Sequence, residues 1–93
     1  MRAVVDDEEL LRRRQLLGLR VKELRGPMTQ ERLAEHAGLG PRQIQRIESG
    51  NPKSPIDTLF RIALALDVDV TELLKEPAPH ITRTLGRPPK HGV

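Results

Sequence analysis

Residues 29–48, TQERLAEHAGLGPRQIQRIE, decide the fold of this chain. The pattern predicts two short helices joined by a turn that contains glycine. At about 100° per residue, the bulky Ile44 and Ile47 lie on one side of the second helix. Four polar residues lie on its other side, namely Arg42, Gln45, Arg46 and Ser49. We therefore expect this helix to bury its isoleucines and to present its polar side to a partner.

The polar side of this helix predicts the chemistry of the partner. Arginine forms paired hydrogen bonds with guanine, and glutamine forms them with adenine. The base edges of DNA are thus the best chemical match for a helix that exposes Arg42, Gln45 and Arg46. The alternative for the two arginines is an ordinary solvated face. Such faces usually mix charges, whereas two arginines at i, i+4 repel each other mildly.

The composition fits one small domain with tails and argues against several function classes. The 93 residues include no Cys, Trp or Tyr, and Phe60 is the only phenylalanine. Without cysteine there is no disulfide framework and no Cys-based zinc site, and with a single Phe the usual surface for stacking single-stranded bases is missing. The three histidines lack metal-ligand spacing, and no nucleophile–base set occurs. We therefore expect no metal, no cofactor and no enzymatic activity.

Charge is distributed unevenly along the chain, whose net charge is +3. Residues 77–93 carry three basic residues and no acidic one, whereas residues 26–76 carry six basic and eight acidic residues. A DNA surface in this middle segment needs Arg42, Arg46 and Lys53 close together on one face. The sequence contains no apolar run long enough to span a membrane and no signal-peptide pattern, so we expect a cytoplasmic protein.

The first helix is predicted to be long, over residues 7–25. Its acidic start at residues 6–9 suits the positive end of the helix dipole. Apolar residues then recur at helical spacing before the stop at Gly26, namely Leu10, Leu17, Val21 and Leu24. Residues 1–16 are predicted to be a helical extension of the domain, although Gly18 argues against a continuous helix. The leucine spacing permits a dimer seam or ordinary packing on the domain, and we favour packing.

Cap signals define the remaining helices. Thr29 is a good N-cap for the second helix, Gly38 ends it, and Pro41 opens the third helix where its missing N–H costs nothing. Ser54-Pro55 repeats this start for a fourth helix and places Asp57 at its third position. The predicted core side of the fourth helix consists of Leu59, Phe60, Ile62, Ala63 and Leu66. A short fifth helix is predicted over 71–74, and a disordered basic tail over 77–93.

These residues and their order resemble the Xre/Cro-type helix-turn-helix family, the DNA-binding domain of phage repressors and many small bacterial regulators. The resemblance covers residues 17–74 approximately. It rests on Gln30 in TQERLA, on Ala34 where two helices touch, on Gly38 in the turn, and on the closing IESGNPKSPIDTLFRIALALDVDVTELL. It implies an all-α, five-helix lambda-repressor-like DNA-binding domain over residues 17–76, preceded by the extension of the first helix.

The resemblance implies roles for the residues around the recognition helix, 41–48. Arg42 and Arg46 are placed where the family reads base edges, and Pro41 where an apolar contact to DNA is made. Gln43 and Gln45 flank the reading face and are candidates for contacts with bases or phosphates.

Further roles follow from the same resemblance outside this helix. Gln30 is expected to contact a backbone phosphate and to brace the recognition helix. The loop that usually grips phosphate contains three candidates, namely Ser49, Asn51 and Lys53. Arg25 and Glu48 occupy the positions of an ion pair between the first and third helices.

Three further features of the sequence each allow a functional and an ordinary interpretation. For Arg12, Arg13 and Arg14 we favour a solvated helix face over DNA contact. Residues 85–90, LGRPPK, faintly resemble a minor-groove AT-hook but lack the arginine before the glycine, so we favour a plain disordered tail. His36 is interpreted as a surface residue.

Taken together, the sequence predicts a transcriptional regulator, most simply a repressor, that binds double-stranded DNA through helix 41–48 in the major groove. A homodimer would span two half-sites about one helical turn apart. The alternative is a protein-binding adaptor, such as the antitoxin of a toxin–antitoxin pair. In that case the tail or the first helix would bind a partner protein.

Overall fold

The computed structural model describes residues 4–51 and 54–82, and within these ranges the chain forms six helices and no strand. The helices are α1 (Asp7–Arg25), α2 (Gln30–Ala37), α3 (Pro41–Glu48), α4 (Ile56–Leu66), α5 (Val70–Leu73) and α6 (Pro79–Thr82). The predicted all-α, lambda-repressor-like fold is confirmed. The short α6 is additional to the five predicted helices.

Helix α1 has the predicted bounds and is continuous through Gly18. Its N-terminus is capped by Asp6, whose side chain accepts a hydrogen bond of 2.9 Å from the N–H of Glu8. Gly18 is buried because the helix passes very close to the end of α3. A Cβ at position 18 would lie only 2.6 Å from the carbonyl oxygen of Glu48. The glycine that weakened the sequence prediction is therefore what allows α1 to approach α3.

Helices α2 and α3 form the predicted helix-turn-helix unit. The Thr29 hydroxyl accepts a hydrogen bond of 3.0 Å from the N–H of Arg32, which caps α2 as expected. Gly38 adopts the left-handed conformation with φ of 71°, a region that glycine enters without a steric penalty. The chain then turns directly into α3, which begins at Pro41.

Helix α4 differs from its prediction at its start and in the side chains that it buries. Pro55 is the N-cap with no side-chain cap, so the expected cap by Ser54 is wrong and Asp57 is the second helical residue. Phe60 is 45% exposed, and its assignment to the core is also wrong. The reason is that α4 turns Leu59 and Ile62 inward, which leaves Phe60 toward the outer side.

Helix α5 runs one residue earlier than predicted, because Asp69 caps it. Its carboxylate accepts hydrogen bonds from the backbone N–H of Thr71 at 3.0 Å and from the Thr71 hydroxyl at 2.9 Å. These bonds lower the pKa of Asp69 from its ordinary value, with the backbone N–H as the main cause.

A single core joins the first five helices. Its buried members are Val21, Leu33, Ala34, Ile44, Ile47, Leu59, Ile62, Ala63 and Leu73. Leu17 and Leu24 pack against this core, which is the ordinary packing that we favoured for them, whereas Leu10 is 43% exposed. None of the helices in the described ranges has both the length and the apolar character needed to cross a membrane.

Residues 77–82, the start of the tail for which the sequence predicted disorder, pack against the domain in the structure. Pro77 is buried, and the backbone N–H of Ala78 donates to the Glu23 carboxylate at 3.4 Å. Helix α6 then lies against α1. A proline-containing segment can dock in this way because proline carries no N–H that must be satisfied on burial. The rest of the predicted tail, 83–93, lies outside the described residues.

Candidate nucleic-acid interface

Helix α3 has the orientation that its sequence predicts. Ile44 and Ile47 are 0% and 5% exposed, and they anchor the helix in the core. The remaining predicted contact residues of α3 are all exposed, namely Pro41, Arg42, Gln43, Gln45 and Arg46. The helix therefore presents one polar, positively charged side to solvent.

Arg42 and Arg46 stand out on this side of α3. Within residues 4–51 and 54–82, neither guanidinium group takes part in a hydrogen bond or an ion pair. Each guanidinium carries five N–H donors in a fixed planar arrangement that suits paired acceptors. The two groups are thus available for an anionic or hydrogen-bonding ligand.

The end of α3 is fixed by a buried ion pair between Arg25 and Glu48. The Arg25 Nε and Nη2 atoms lie 2.6 and 3.0 Å from the two Glu48 oxygens. The two side chains are only 13% and 5% exposed. The hydrogen bond with Glu48 raises the pKa of Arg25, and Arg25 also donates to the Met28 carbonyl. The pair expected from the resemblance is present, and it ties α1 to α3.

Gln30 joins the same cluster from the start of α2. Its Nε2 atom donates to Glu48 at 2.9 Å, which is the bracing of the recognition helix that the resemblance implies. An amide NH₂ group carries two donors, so one hydrogen remains for another acceptor. Gln30 is half-buried at the first position of its helix. The phosphate contact of Gln30 stays a prediction.

Gln43 has a role in the fold that the sequence interpretation missed. Its Oε1 atom accepts a hydrogen bond of 2.9 Å from the backbone N–H of Gly40 and so caps the start of α3. A glutamine at the third helical position is the sequence signal for such a cap. The Gln43 side chain is otherwise exposed.

The turn after α3 holds the remaining predicted contacts. The Ser49 hydroxyl donates to the Arg46 carbonyl at 2.9 Å, and the backbone N–H of Asn51 donates to the same carbonyl at 3.1 Å. Both residues are exposed. Lys53 lies outside the described residues, so its expected proximity to Arg42 and Arg46 stays a prediction.

Arg20 is the centre of a second hydrogen-bonded cluster, which was not identified from the sequence. Its Nε atom donates to the Glu72 carbonyl at 2.7 Å, its Nη2 atom to the Glu72 carboxylate at 3.0 Å, and its Nη1 atom to Glu23 at 2.9 Å. The residue thus links α1 to α5. No local spacing could have indicated it, because Arg20 and Glu72 are 52 positions apart.

The arginines at the start of α1 differ in their environments. Arg13 is exposed and pairs with Glu9 at 2.7 Å, as expected for a solvated helix face. Arg14 is half-buried, and its Nε atom is enclosed without a hydrogen-bond partner among the described residues. Arg14 lies near Gly50 and Ser54, beside the turn that follows α3.

The arrangement of α2, turn and α3 against α1, α4 and α5 defines a helix-turn-helix domain. The family model HTH_3, described as helix-turn-helix, matches residues 21–73, which is more than half of the 93 residues. The chain therefore belongs to this Xre and lambda-repressor-like helix-turn-helix family. Membership makes it a DNA-binding protein of the transcriptional-regulator class, in a family that is typically non-enzymatic. Comparison with curated proteins finds no match.

Proposed function

We propose that this protein is a sequence-specific regulator of transcription that inserts α3 into the major groove of double-stranded DNA. The observation that carries this proposal is the state of Arg42 and Arg46. Both are exposed on a helix whose opposite side is anchored in the core, and neither guanidinium group has an intramolecular partner in the described part of the chain. Arginine side chains on a helix that is anchored in this way are suited to reading base edges.

In this proposal the exposed residues of α3 divide the work of recognition. Arg42 and Arg46 contact base edges directly, and Gln45 contacts a base or a phosphate beside them. Pro41 offers an apolar contact of the kind that a thymine methyl group accepts. Gln43 turns its amide donors toward the DNA, while its amide oxygen keeps the start of α3 capped.

The surrounding residues hold the domain on the phosphate backbone. Gln30 donates its second amide hydrogen to a phosphate while the first remains on Glu48. Ser49, Asn51 and Lys53 grip the backbone after α3. Because Glu48 is already bound by Arg25, its negative charge adds little repulsion toward the DNA.

A small domain of this kind covers one half-site, so we infer that it acts as a homodimer on two half-sites about one helical turn apart. Two linked half-sites raise the affinity beyond that of one domain. The simplest regulatory outcome is repression, in which the bound dimer blocks a promoter.

The test begins with selection of binding sites from a random pool of double-stranded DNA by the full chain. Recovered sequences should share a half-site motif, and affinity should fall steeply as salt concentration rises, because phosphate contacts release counterions. If the full chain shows no binding to duplex DNA at low salt, the proposal is refuted. Equal binding to all duplexes would refute its sequence-specific part.

A second candidate function is that of a protein-binding adaptor, such as the antitoxin of a toxin–antitoxin pair. It is favoured by apolar residues exposed at and before the start of α1, where Val4 and Val5 are 92% and 72% exposed and Leu11 is 41% exposed. Deletion of residues 83–93 and substitution of these side chains by serine separate the two functions. Loss of a co-purifying protein with intact DNA binding would support the adaptor.

A further inference from the structure

Helix α4 carries an exposed apolar row on the side that does not face the core. Ile56, Phe60 and Leu64 are spaced four residues apart and therefore lie along one face of the helix. Their exposed fractions are 60%, 45% and 78%. Nothing in residues 4–51 and 54–82 covers these three side chains. Contiguous exposed apolar residues on a small domain mark an interaction surface.

One border of this row carries an acidic and a basic residue, so that the borders of two antiparallel copies can attract each other. Asp57 and Arg61 lie beside the row, are 80% and 51% exposed, and form a loose pair at 3.6 Å within the helix. The other border is the side of α4 that turns into the core. The row is thus flanked on its open side by one acidic and one basic position, four residues apart.

We propose that this face binds the same face of a second copy of the chain, with the two α4 helices antiparallel about a two-fold axis near Phe60. In a two-fold interface each contact occurs twice. Ile56 of one copy then lies opposite Leu64 of the other. Asp57 of each copy lies opposite Arg61 of the other, so the intrahelical pair is exchanged for two pairs between copies.

The size of the row sets the expected strength of this contact. Three partly exposed side chains provide well under the roughly 800 Å² per partner of a stable complex. The contact is therefore weak in solution and strengthens when two copies bind neighbouring half-sites on one DNA molecule. The strengthening on DNA rests on the proposed function, whereas the association of two free copies is measurable without DNA.

The position of α4 fits such a role. The Arg61 Nη1 atom donates to the Ala37 carbonyl at 3.2 Å, at the C-terminus of α2. The charged border of the row therefore touches the helix-turn-helix unit itself. Two copies joined through α4 would hold their α3 helices in a fixed relation to each other.

Charge exchange tests the contact by sedimentation over a wide range of protein concentrations. Asp57→Arg places like charges at both paired positions, and Arg61→Asp does the same with opposite sign, so each variant alone should associate at least about tenfold more weakly than wild type. A mixture of the two variants should regain association, because every cross-copy pair is then of opposite sign. Failure of the mixture to associate, while both variants remain folded by circular dichroism, overturns the proposal.

Leu64→Glu tests the apolar part of the contact independently. Leu74→Glu is the matched control, because Leu74 lies outside α4 and is 65% exposed. Only Leu64→Glu should abolish association and cooperative binding to a duplex with two half-sites, and it should leave binding to one half-site unchanged. Wild-type protein that stays monomeric at every concentration and binds two half-sites independently overturns the contact. Association without any DNA binding would refute the proposed function and support the contact.

Discussion

The guanidinium group of Arg25, the last residue of α1, lies 2.6 Å from the carboxylate of Glu48, the last residue of α3. Gln30 at the start of α2 donates to the same carboxylate. Three helices of the DNA-binding unit are therefore joined at one buried point. The cluster holds the C-terminal end of α3, the helix that carries Arg42 and Arg46, against α1 and α2.

Glu48→Ala should lower the free energy of unfolding by about 3 kcal/mol, because it leaves the Arg25 charge buried without a counter-charge. Glu35→Ala is the matched control, since Glu35 is an exposed glutamate on α2. Urea denaturation followed by circular dichroism measures both. Equal midpoints for the two variants would contradict the structural role of the pair.

Gly18→Ala should destabilise the protein by about 2 kcal/mol, because the added methyl group meets backbone carbonyls of α3 that cannot rotate away. Gly40→Ala is a suitable control. There a Cβ meets only the Gln43 side chain, at 3.7 Å, and the backbone φ is −82°. The thermal midpoint should fall clearly for Gly18→Ala and much less for Gly40→Ala. A larger fall of the thermal midpoint for Gly40→Ala than for Gly18→Ala would show that α1 and α3 are further apart than in this structure.

The helix-turn-helix unit was predictable because its signals are local. Thr29, Gly38 and Pro41 each act within one turn of the chain, and the buried isoleucines of α3 follow from helical periodicity. The ion pair between Arg25 and Glu48 was expected only from the resemblance to a family, since the two residues are 23 positions apart.

The parts that were missed depend on tertiary packing. Helix α4 is apolar on more than one side, so periodicity alone does not decide whether Phe60 faces the core or the exterior. Residues 77–82 have the composition of a loop, yet they dock where Glu23 offers an acceptor to Ala78. For the proposed DNA contacts of α3, helical periodicity alone predicted which side chains are exposed.

Arg42→Ala should weaken binding to the selected site by about 1–3 kcal/mol and relax the preference at one base position, because a paired hydrogen-bond contact is lost. Lys75→Ala removes the same charge from an exposed side chain outside the helix-turn-helix unit and serves as the control. Fluorescence anisotropy with the selected duplex and its single-base variants measures both effects. An equal loss on every duplex would instead show that Arg42 contacts phosphate.

Stability at acid pH should depend in part on Asp69. Hydrogen bonds from Thr71 hold the pKa of this carboxylate below its ordinary value. The stabilisation is therefore complete above the ordinary pKa of aspartate, about 3.9, and is lost as the pH falls through the lower native value. Asp69→Asn keeps a capping side chain that does not titrate in this range. The stability advantage of wild type over this variant should shrink as the pH falls, and a constant difference in urea midpoints would contradict the assignment.

Two truncations should distinguish the docked segment from the residues that follow it. Removal of residues 77–93 takes away buried Pro77, the Ala78 bond to Glu23 and the packing of α6 on α1. We expect it to lower the free energy of unfolding by about 1–2 kcal/mol. Removal of residues 83–93 leaves every one of these contacts in place and should not change the urea midpoint. If both truncations behave like the full chain, α6 contributes nothing to stability, and the domain ends at residue 76 as the sequence alone predicts.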